Sequence, residues 1–187
     1  MESMDDVLLE ADDKMSKCQA FLHQELSGLR TGKASPSLVE NVMVPYYGAM
    51  TRLREIGGIS TPEARMIVIN SYDPTALPAI EKAILAANLG VTPMNDGRVI
   101  RIVIPELSEE RRKDLAKVAK RMAEEARVAV RNIRREANEQ IKTLQKGGKV
   151  TEDERDQGLS QIQKETDAHI AKIDAALTAK EKEVMGV

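Results

Sequence analysis

The longest helical pattern in the chain constrains its fold more than any other feature. Between Ser108 and Lys146 no glycine or proline interrupts the sequence. One helix of about 39 residues would therefore span on the order of 58 Å. Its apolar stripe consists of Leu115, Met122, Ala126, Ala129, Ile133 and Leu144. A helix of this length cannot bury such a stripe against itself, so the chain must supply helical partners for it.

Two further segments predict those partners. Apolar residues within 8–29 recur at helical spacing, and Gly32 and Pro36 follow as a stop signal. A capping box from Thr151 to Glu154 begins a third amphipathic helix. Because none of the three helices can bury its stripe alone, we expect an elongated antiparallel three-helix bundle.

The region between the first two helices has a different pattern. Short β-branched segments bounded by glycine and proline predict strands, and an Asp-Pro pair begins a helix. The candidate elements are strands at 42–48, 65–70 and 99–104 and a helix between Asp73 and Gly90. The predicted fold class is therefore α+β. Residues 1–30 and 106–187 form the bundle, and residues 31–105 form a small inserted β/α/β domain on a two-stranded hinge.

The composition excludes several classes of function. Aromatic residues make up only 2% of the chain, too few for a base-stacking platform. One Cys and two His, far apart in sequence, predict neither a metal site nor a nucleophilic pair. No apolar run approaches the roughly 20 residues of a membrane span, and the acidic N-terminus lacks the features of a secretory signal. We expect a monomeric cytoplasmic protein without membrane contact, cofactor, metal or catalytic residues.

The charge of the chain is concentrated on the second long helix. The whole chain has a net charge of −2, whereas residues 108–146 contain 12 basic and 7 acidic residues. On a helical wheel of about 100° per residue, a set of cations lies within about 60° of Lys113, opposite the apolar stripe. This set, the cationic face, consists of Lys113, Lys117, Lys120, Arg127, Arg131, Arg134, Arg135 and Lys142. We expect it to bind a phosphate backbone, since arginine matches phosphate oxygens.

Three other interpretations compete with a nucleic-acid interface. The cationic face could be an ordinary solvated surface, or the protein could be a coiled-coil adaptor that binds protein without contacting RNA. The adaptor predicts self-association and weak dependence of binding on salt. A hydrolase that uses surface acids would need a pocket for which the sequence gives no signal. The arginine clustering and the acidic flanking helices favour the nucleic-acid interface.

Five motifs show a resemblance to a known family. The chain is similar to the ribosome recycling factor family across nearly its whole length, with the motifs in the family's order. They are RTGKASPSL at 30–38, YYG at 46–48, PAIEKAI at 78–84, LSEERRKDL at 107–115 and ARVAVRNIRR at 126–135. Lys33 stands where many members have arginine, which keeps the positive charge.

This resemblance implies an L-shaped protein without catalytic activity. Family members bind the large subunit of the post-termination ribosome. With elongation factor G and GTP they separate the subunits and release mRNA and tRNA. The resemblance implies that the bundle contacts 23S rRNA and that the small domain meets elongation factor G.

The resemblance also assigns residues to these contacts. Arg131 and Arg134 lie in the matched motif at positions expected to contact rRNA. The further rRNA-binding candidates are Arg127, Arg135, Arg111 and Arg112 from the motifs, and Lys113, Lys117 and Lys120 from the cationic face. The hinge would comprise Arg30, Thr31, Gly32 and Pro105.

Overall fold

The computed structural model describes residues 3–186 and divides into two compact units. The helices are α1 (Met4–Ser27), α2 (Leu53–Ile56), α3 (Leu77–Ala86), α4 (Glu109–Lys146) and α5 (Glu152–Met185). The strands are β1 (Met43–Tyr46), β2 (Ala49–Arg52), β3 (Gly57–Glu63), β4 (Met66–Ser71), β5 (Pro93–Asn95) and β6 (Ile100–Val103). The predicted α+β class is confirmed, with a long helical bundle and a small β-containing unit. The small unit spans Thr31–Ser108, whereas the sequence placed its end at residue 105.

The three long helices begin and end at strong local signals. Thr151 accepts a hydrogen bond from the backbone of Glu154, whose side chain binds the Thr151 N–H in return. This reciprocal pair is the predicted capping box, and Ser3 makes the same arrangement at the start of α1. At the end of α4, Gly148 adopts a φ of 72°, a left-handed conformation that favours glycine. These caps explain why the helix bounds agree closely with the sequence pattern.

The bundle core is continuous along all three helices. Near one end, Val7 of α1 packs with Ile141 of α4 and Ile162 of α5. Further along, Leu22 packs with Ala123 and with Ile173. The residue numbers rise together on α1 and α5 and fall on α4, so α4 is antiparallel to both of the other helices. Burying three stripes in one core stabilises helices that would be marginal alone.

One polar cluster interrupts the apolar contact between α1 and α5. His169 is only 6% exposed, and its Nε2 and Nδ1 atoms lie 2.9 Å from oxygens of Asp12 and Gln19. Both ring nitrogens of this buried histidine therefore have hydrogen-bond partners. Glu165 lies one turn before His169, and burial raises the pKa of its carboxyl group. The negative charge of Asp12 raises this pKa further. A hydrogen bond from Gln161 and the charge of His169 act in the opposite direction but do not cancel the shift.

The small unit is built on a four-stranded antiparallel sheet in the order β3-β4-β6-β5. Ile67, Ile69, Ile100 and Ile102 on the two central strands are fully buried, in one core with Ile80 of α3. Strands β1 and β2 form a separate hairpin. The three predicted strand segments correspond to β1, β4 and β6, with β4 ending one residue later than predicted, but the sequence missed β2, β3 and β5. Glycine and proline obscure β3 and β5, which form because the central strands offer them a free edge.

The predicted helix after Asp73 is present in two parts. A short 3-10 turn at Pro74–Ala76 comes first, and α3 follows from Leu77. Asp73 caps this start by accepting from the Thr75 backbone, and it also accepts from the hydroxyls of Tyr46 and Tyr47. Hydrogen bonds from Thr75 and then from the tyrosines lower the pKa of Asp73, although burial opposes the shift. One carboxylate thus joins the hairpin to the helical side of the unit.

Two backbone hydrogen bonds fix both ends of the small unit to one turn. The Ala34 N–H donates to the Ala64 carbonyl, and the Ile104 N–H donates to the Arg65 carbonyl, each at 2.7 Å. Ala64 and Arg65 are consecutive residues between β3 and β4. The segment that enters the unit and the segment that leaves it are therefore held side by side from Ala34 and Ile104 inward.

Candidate nucleic-acid interface

The cationic face lies on α4, which is continuous over 38 residues. At 1.5 Å per residue the helix is about 57 Å long. Lys113, Lys117, Lys120, Arg135 and Lys142 are exposed, whereas Arg127, Arg131 and Arg134 are half-buried. The structure thus places the predicted residues along one helix but does not make them equally accessible.

The buried stripe of α4 is rotated from its predicted position. The buried residues are Leu115, Ala119, Ala123, Ala126, Val130, Ala137, Ile141 and Leu144. Their centre lies about 50° closer to Arg134, Arg127 and Lys120 than the sequence pattern predicted. The prediction that the cationic face stands opposite the core was therefore wrong at this edge. Packing against two helices buries small alanines, while the larger Met122 and Ile133 lie at the margin of the core.

Two cations at this edge form ion pairs with α5. Lys120 Nζ lies 4.0 Å from Glu181 Oε1, and Arg127 Nη2 lies 2.7 Å from Asp174 Oδ1. The two pairs are seven residues apart on each helix, which is two helical turns, so they repeat along the antiparallel contact. We call these two pairs the α4–α5 ladder.

Arg127 is the most constrained of the candidate residues. Its side chain is 19% exposed, and its Nη1 atom lies 3.0 Å from Glu124 Oε2 in addition to the contact with Asp174. Burial acts to lower the pKa of Arg127, but hydrogen bonds to Asp174 and Glu124 outweigh it and the net pKa is raised. The guanidinium is thus charged but already satisfied within the bundle.

A second group of cations points away from α5, and we call Lys113, Lys117, Arg131 and Arg135 the outward row. The Arg131 side chain is 40% exposed, and its Nη1 atom is 3.5 Å from Glu124 Oε1. Lys113 lies 3.3 Å from Glu109, and Arg135 Nη1 lies 3.4 Å from Asn132 Oδ1. Exposed pairs at such distances contribute little, about 0–1 kcal/mol, so a phosphate could replace these partners at small cost.

Arg134 differs from both groups. It is half-buried at the edge facing α5, yet its guanidinium makes no hydrogen bond or ion pair with any residue between 3 and 186. A guanidinium without a partner at this edge retains its full capacity to bind an anion.

The remaining candidates lie near the ends of the helices. Arg111 is exposed and Arg112 half-buried in the first turn of α4. Of the hinge candidates, Gly32 has a φ of 79°, and a Cβ atom there would lie 3.2 Å from Leu107 Cγ. Within the described part of the chain, no three metal-ligating side chains converge. No described helix is long and apolar enough to span a bilayer.

Sequence reasoning missed the acidic residues that determine which cations are accessible. Asp174 and Glu181 on α5 form ion pairs with Arg127 and Lys120, respectively. A signal for this pairing is present in the sequence. Acidic residues recur every seven positions on α5, at 167, 174 and 181, and basic residues recur at the same interval on α4, at 120, 127 and 134. Its meaning depends on the register between α4 and α5, which the sequence does not give.

Comparisons with known proteins agree on one family. The ribosome recycling factor family model matches residues 22–185. The chain is 53% identical to the ribosome-recycling factor of Bacillus subtilis (strain 168) over 182 residues, covering 97% of this chain and 98% of that protein.

Two solved structures extend this similarity over the fold. One is a solution structure of the ribosome recycling factor, with 43% identity, a TM-score of 0.76 and complete coverage of both chains. The other describes the T. thermophilus ribosome recycling factor and E. coli elongation factor G bound to the E. coli post-termination complex. It shares 44% identity and a TM-score of 0.64, covering 98% of this chain and all of that one. The chain belongs to the ribosome recycling factor family.

Proposed function

We propose that this protein recycles ribosomes after translation termination. It binds the large subunit of the post-termination ribosome and, with elongation factor G and GTP, separates the subunits and releases mRNA and tRNA. Family membership supports this proposal, as does a similar protein described with elongation factor G on a post-termination complex. The observation that carries the RNA contact is the set of weakly paired or unpaired cations along α4.

In this proposal α4 binds 23S rRNA through phosphate contacts. Arg131 and Arg134 make the central contacts, and Lys113, Lys117, Arg135, Arg111 and Arg112 add positive charge on either side. Each phosphate that the protein neutralises releases counterions, so affinity falls as salt rises. Arg127 and Lys120 contribute mainly to the positive electrostatic field around α4, because their charged groups already form ion pairs with carboxylates of α5. Few aromatic residues are available, so recognition depends on the shape and charge of the RNA.

The two compact units have separate roles in this proposal. The bundle anchors the protein on rRNA, and the small domain meets elongation factor G. Arg30, Thr31, Gly32 and Pro105 act as the hinge, since they lie in the two connecting segments just outside the backbone hydrogen bonds of Ala34 and Ile104 that hold the ends of the small unit side by side. The protein is a non-catalytic wedge, and GTP hydrolysis on elongation factor G supplies the energy for subunit separation. A packed helical bundle is stiff enough to transmit that push.

The adaptor alternative receives less support. It requires an apolar stripe that remains available to another protein. Leu22, Ile141, Ile162 and Ile173 of the three stripes are fully buried within one chain, and Leu29, Ile133 and Leu159 are partly buried against the same core clusters.

The proposal is tested by removing single charges and measuring binding to purified large subunits. We expect Arg131→Ala and Arg134→Ala each to weaken binding by about 1–3 kcal/mol, roughly 5- to 150-fold, with helix content unchanged. Arg98→Ala is the matched control because it removes an exposed arginine from the small unit. Unchanged binding of both bundle variants in co-sedimentation at physiological salt would refute the rRNA contact. Failure of the parent protein to split post-termination ribosomes with elongation factor G and GTP would refute the function.

A further inference from the structure

The α4–α5 ladder predicts a third ion pair that the structure does not form. Lys120 faces Glu181 and Arg127 faces Asp174. A further step of seven residues on each antiparallel helix brings Arg134 opposite Asp167. These two side chains have opposite charges and are not paired.

Asp167 is engaged by a different residue. Gln163, one turn earlier on α5, donates from its Nε2 atom to Asp167 Oδ1 at 2.8 Å. In the two ion pairs that do form, the residue four positions before the acidic residue is apolar: Ile170 before Asp174 and Leu177 before Glu181. Neither side chain can donate a hydrogen bond. Where no amide competes, the acid pairs with the cation on α4. Where an amide competes, the cation is left without a partner.

Arg134 also lacks an acidic neighbour on its own helix. The residues three and four positions away are Val130, Arg131, Ala137 and Asn138. Arg127 and Arg131, in contrast, both contact Glu124. Asp167 is therefore the carboxylate best placed to neutralise Arg134.

We propose that Gln163 is a positioning residue for RNA binding. It holds Asp167 by a hydrogen bond along α5 and so leaves the Arg134 guanidinium available to a phosphate. This inference rests on the proposed function, because it assigns Arg134 to the rRNA contact. Loss of the Gln163 amide would release Asp167 to pair with Arg134, and RNA would then have to compete with that carboxylate.

The test compares variants of the full chain in co-sedimentation with purified large subunits across a series of salt concentrations. For Gln163→Ala we expect binding about two- to fivefold weaker, the range of a surface ion pair. This loss should be smaller than that of Arg134→Ala, because RNA can still displace Asp167 and reach the guanidinium; the slope of log affinity against log salt should therefore stay close to that of the parent, whereas Arg134→Ala should lower it by just under one unit. Asp167→Asn added to Gln163→Ala should restore the affinity, and Gln163→Ala should have no effect in an Arg134→Ala background.

A matched control is present on the same helix. Gln161 donates to Glu165 at 3.4 Å with the same spacing of four residues, but this pair lies off the ladder. Gln161→Ala should bind like the parent. Alanine favours helix, so both single variants should keep their helix content.

The possible failures are distinguishable. If Arg134→Ala weakens binding but Gln163→Ala does not, or if Asp167→Asn fails to restore it, the role of Gln163 is refuted and the rRNA contact stands. If Arg134→Ala binds like the parent, the proposed contact itself is wrong and the role of Gln163 is refuted with it. Equal weakening by Gln161→Ala would show a general effect of α5 and would also overturn the inference.

Discussion

Replacing Arg127 by alanine should reduce the stability of the bundle more than its affinity for RNA. The Arg127 side chain is 19% exposed and joins Asp174 on α5 to Glu124 on α4. Removing it breaks both contacts and takes away a long aliphatic stem that covers the core edge. Asp174 then loses its cation and Glu124 keeps only Arg131, but both carboxylates remain solvated, since they are 54% and 56% exposed.

These exposures set the size of the effect. Ion pairs with one exposed partner contribute about 0.2–1 kcal/mol each, and charge-assisted hydrogen bonds reach about 1.5–3 kcal/mol only where both partners are shielded. Arg127→Ala loses two such contacts and the packing of the aliphatic stem, and it regains a few tenths of a kcal/mol from the helix propensity of alanine. We therefore expect the free energy of unfolding to fall by about 1–2 kcal/mol. For a chain of this size this corresponds to a fall in Tm of roughly 2–8 °C.

The assay is urea and thermal unfolding followed by circular dichroism, combined with large-subunit binding. Arg135→Ala is the control, because it removes the same side chain from an exposed position where the guanidinium bonds to the neutral amide of Asn132. We expect Arg135→Ala to leave the Tm unchanged within about 1–2 °C. If Arg127→Ala were as stable as the parent but lost binding as strongly as Arg134→Ala, the assignment of Arg127 to the bundle would be refuted.

Two further variants test features of the fold. Gly32→Ala should destabilise the protein by about 1–2 kcal/mol in urea unfolding, because a φ of 79° strains an L-residue and its Cβ would press on Leu107. Gly97→Ala, with a similar φ but open space around it, should cost less, and an equal cost would contradict the close contact. Glu165→Gln should raise the urea midpoint at neutral pH, because burial raises the pKa of this carboxyl and so penalises its charged form. The folded state binds this proton more tightly than the unfolded state, so the penalty disappears as pH falls below the unfolded pKa; a gain that persisted unchanged at pH 4 would contradict this account.

Much of the fold could be predicted because its signals are local. The capping box at Thr151, the left-handed Gly148 and the spacing of apolar residues depend on neighbours within one or two turns. Strands β3 and β5 could not be predicted, because their own residues are typical of turns. They exist through pairing with β4 and β6, two strands that lie far apart in the chain and meet only in the folded sheet.

The sequence also determined that α4 carries excess positive charge on one side, because charge and helical period are both properties of the chain itself. Only the tertiary structure decided which of those charges are accessible. Packing against two helices places the buried stripe closer to Arg127 than the sequence pattern predicted, and the register of α5 brings Asp174 to that arginine, whereas Asp167 accepts a hydrogen bond from Gln163. Ion pairs act over a few ångströms, and residues about 50 positions apart in the chain come that close only once the helices have packed.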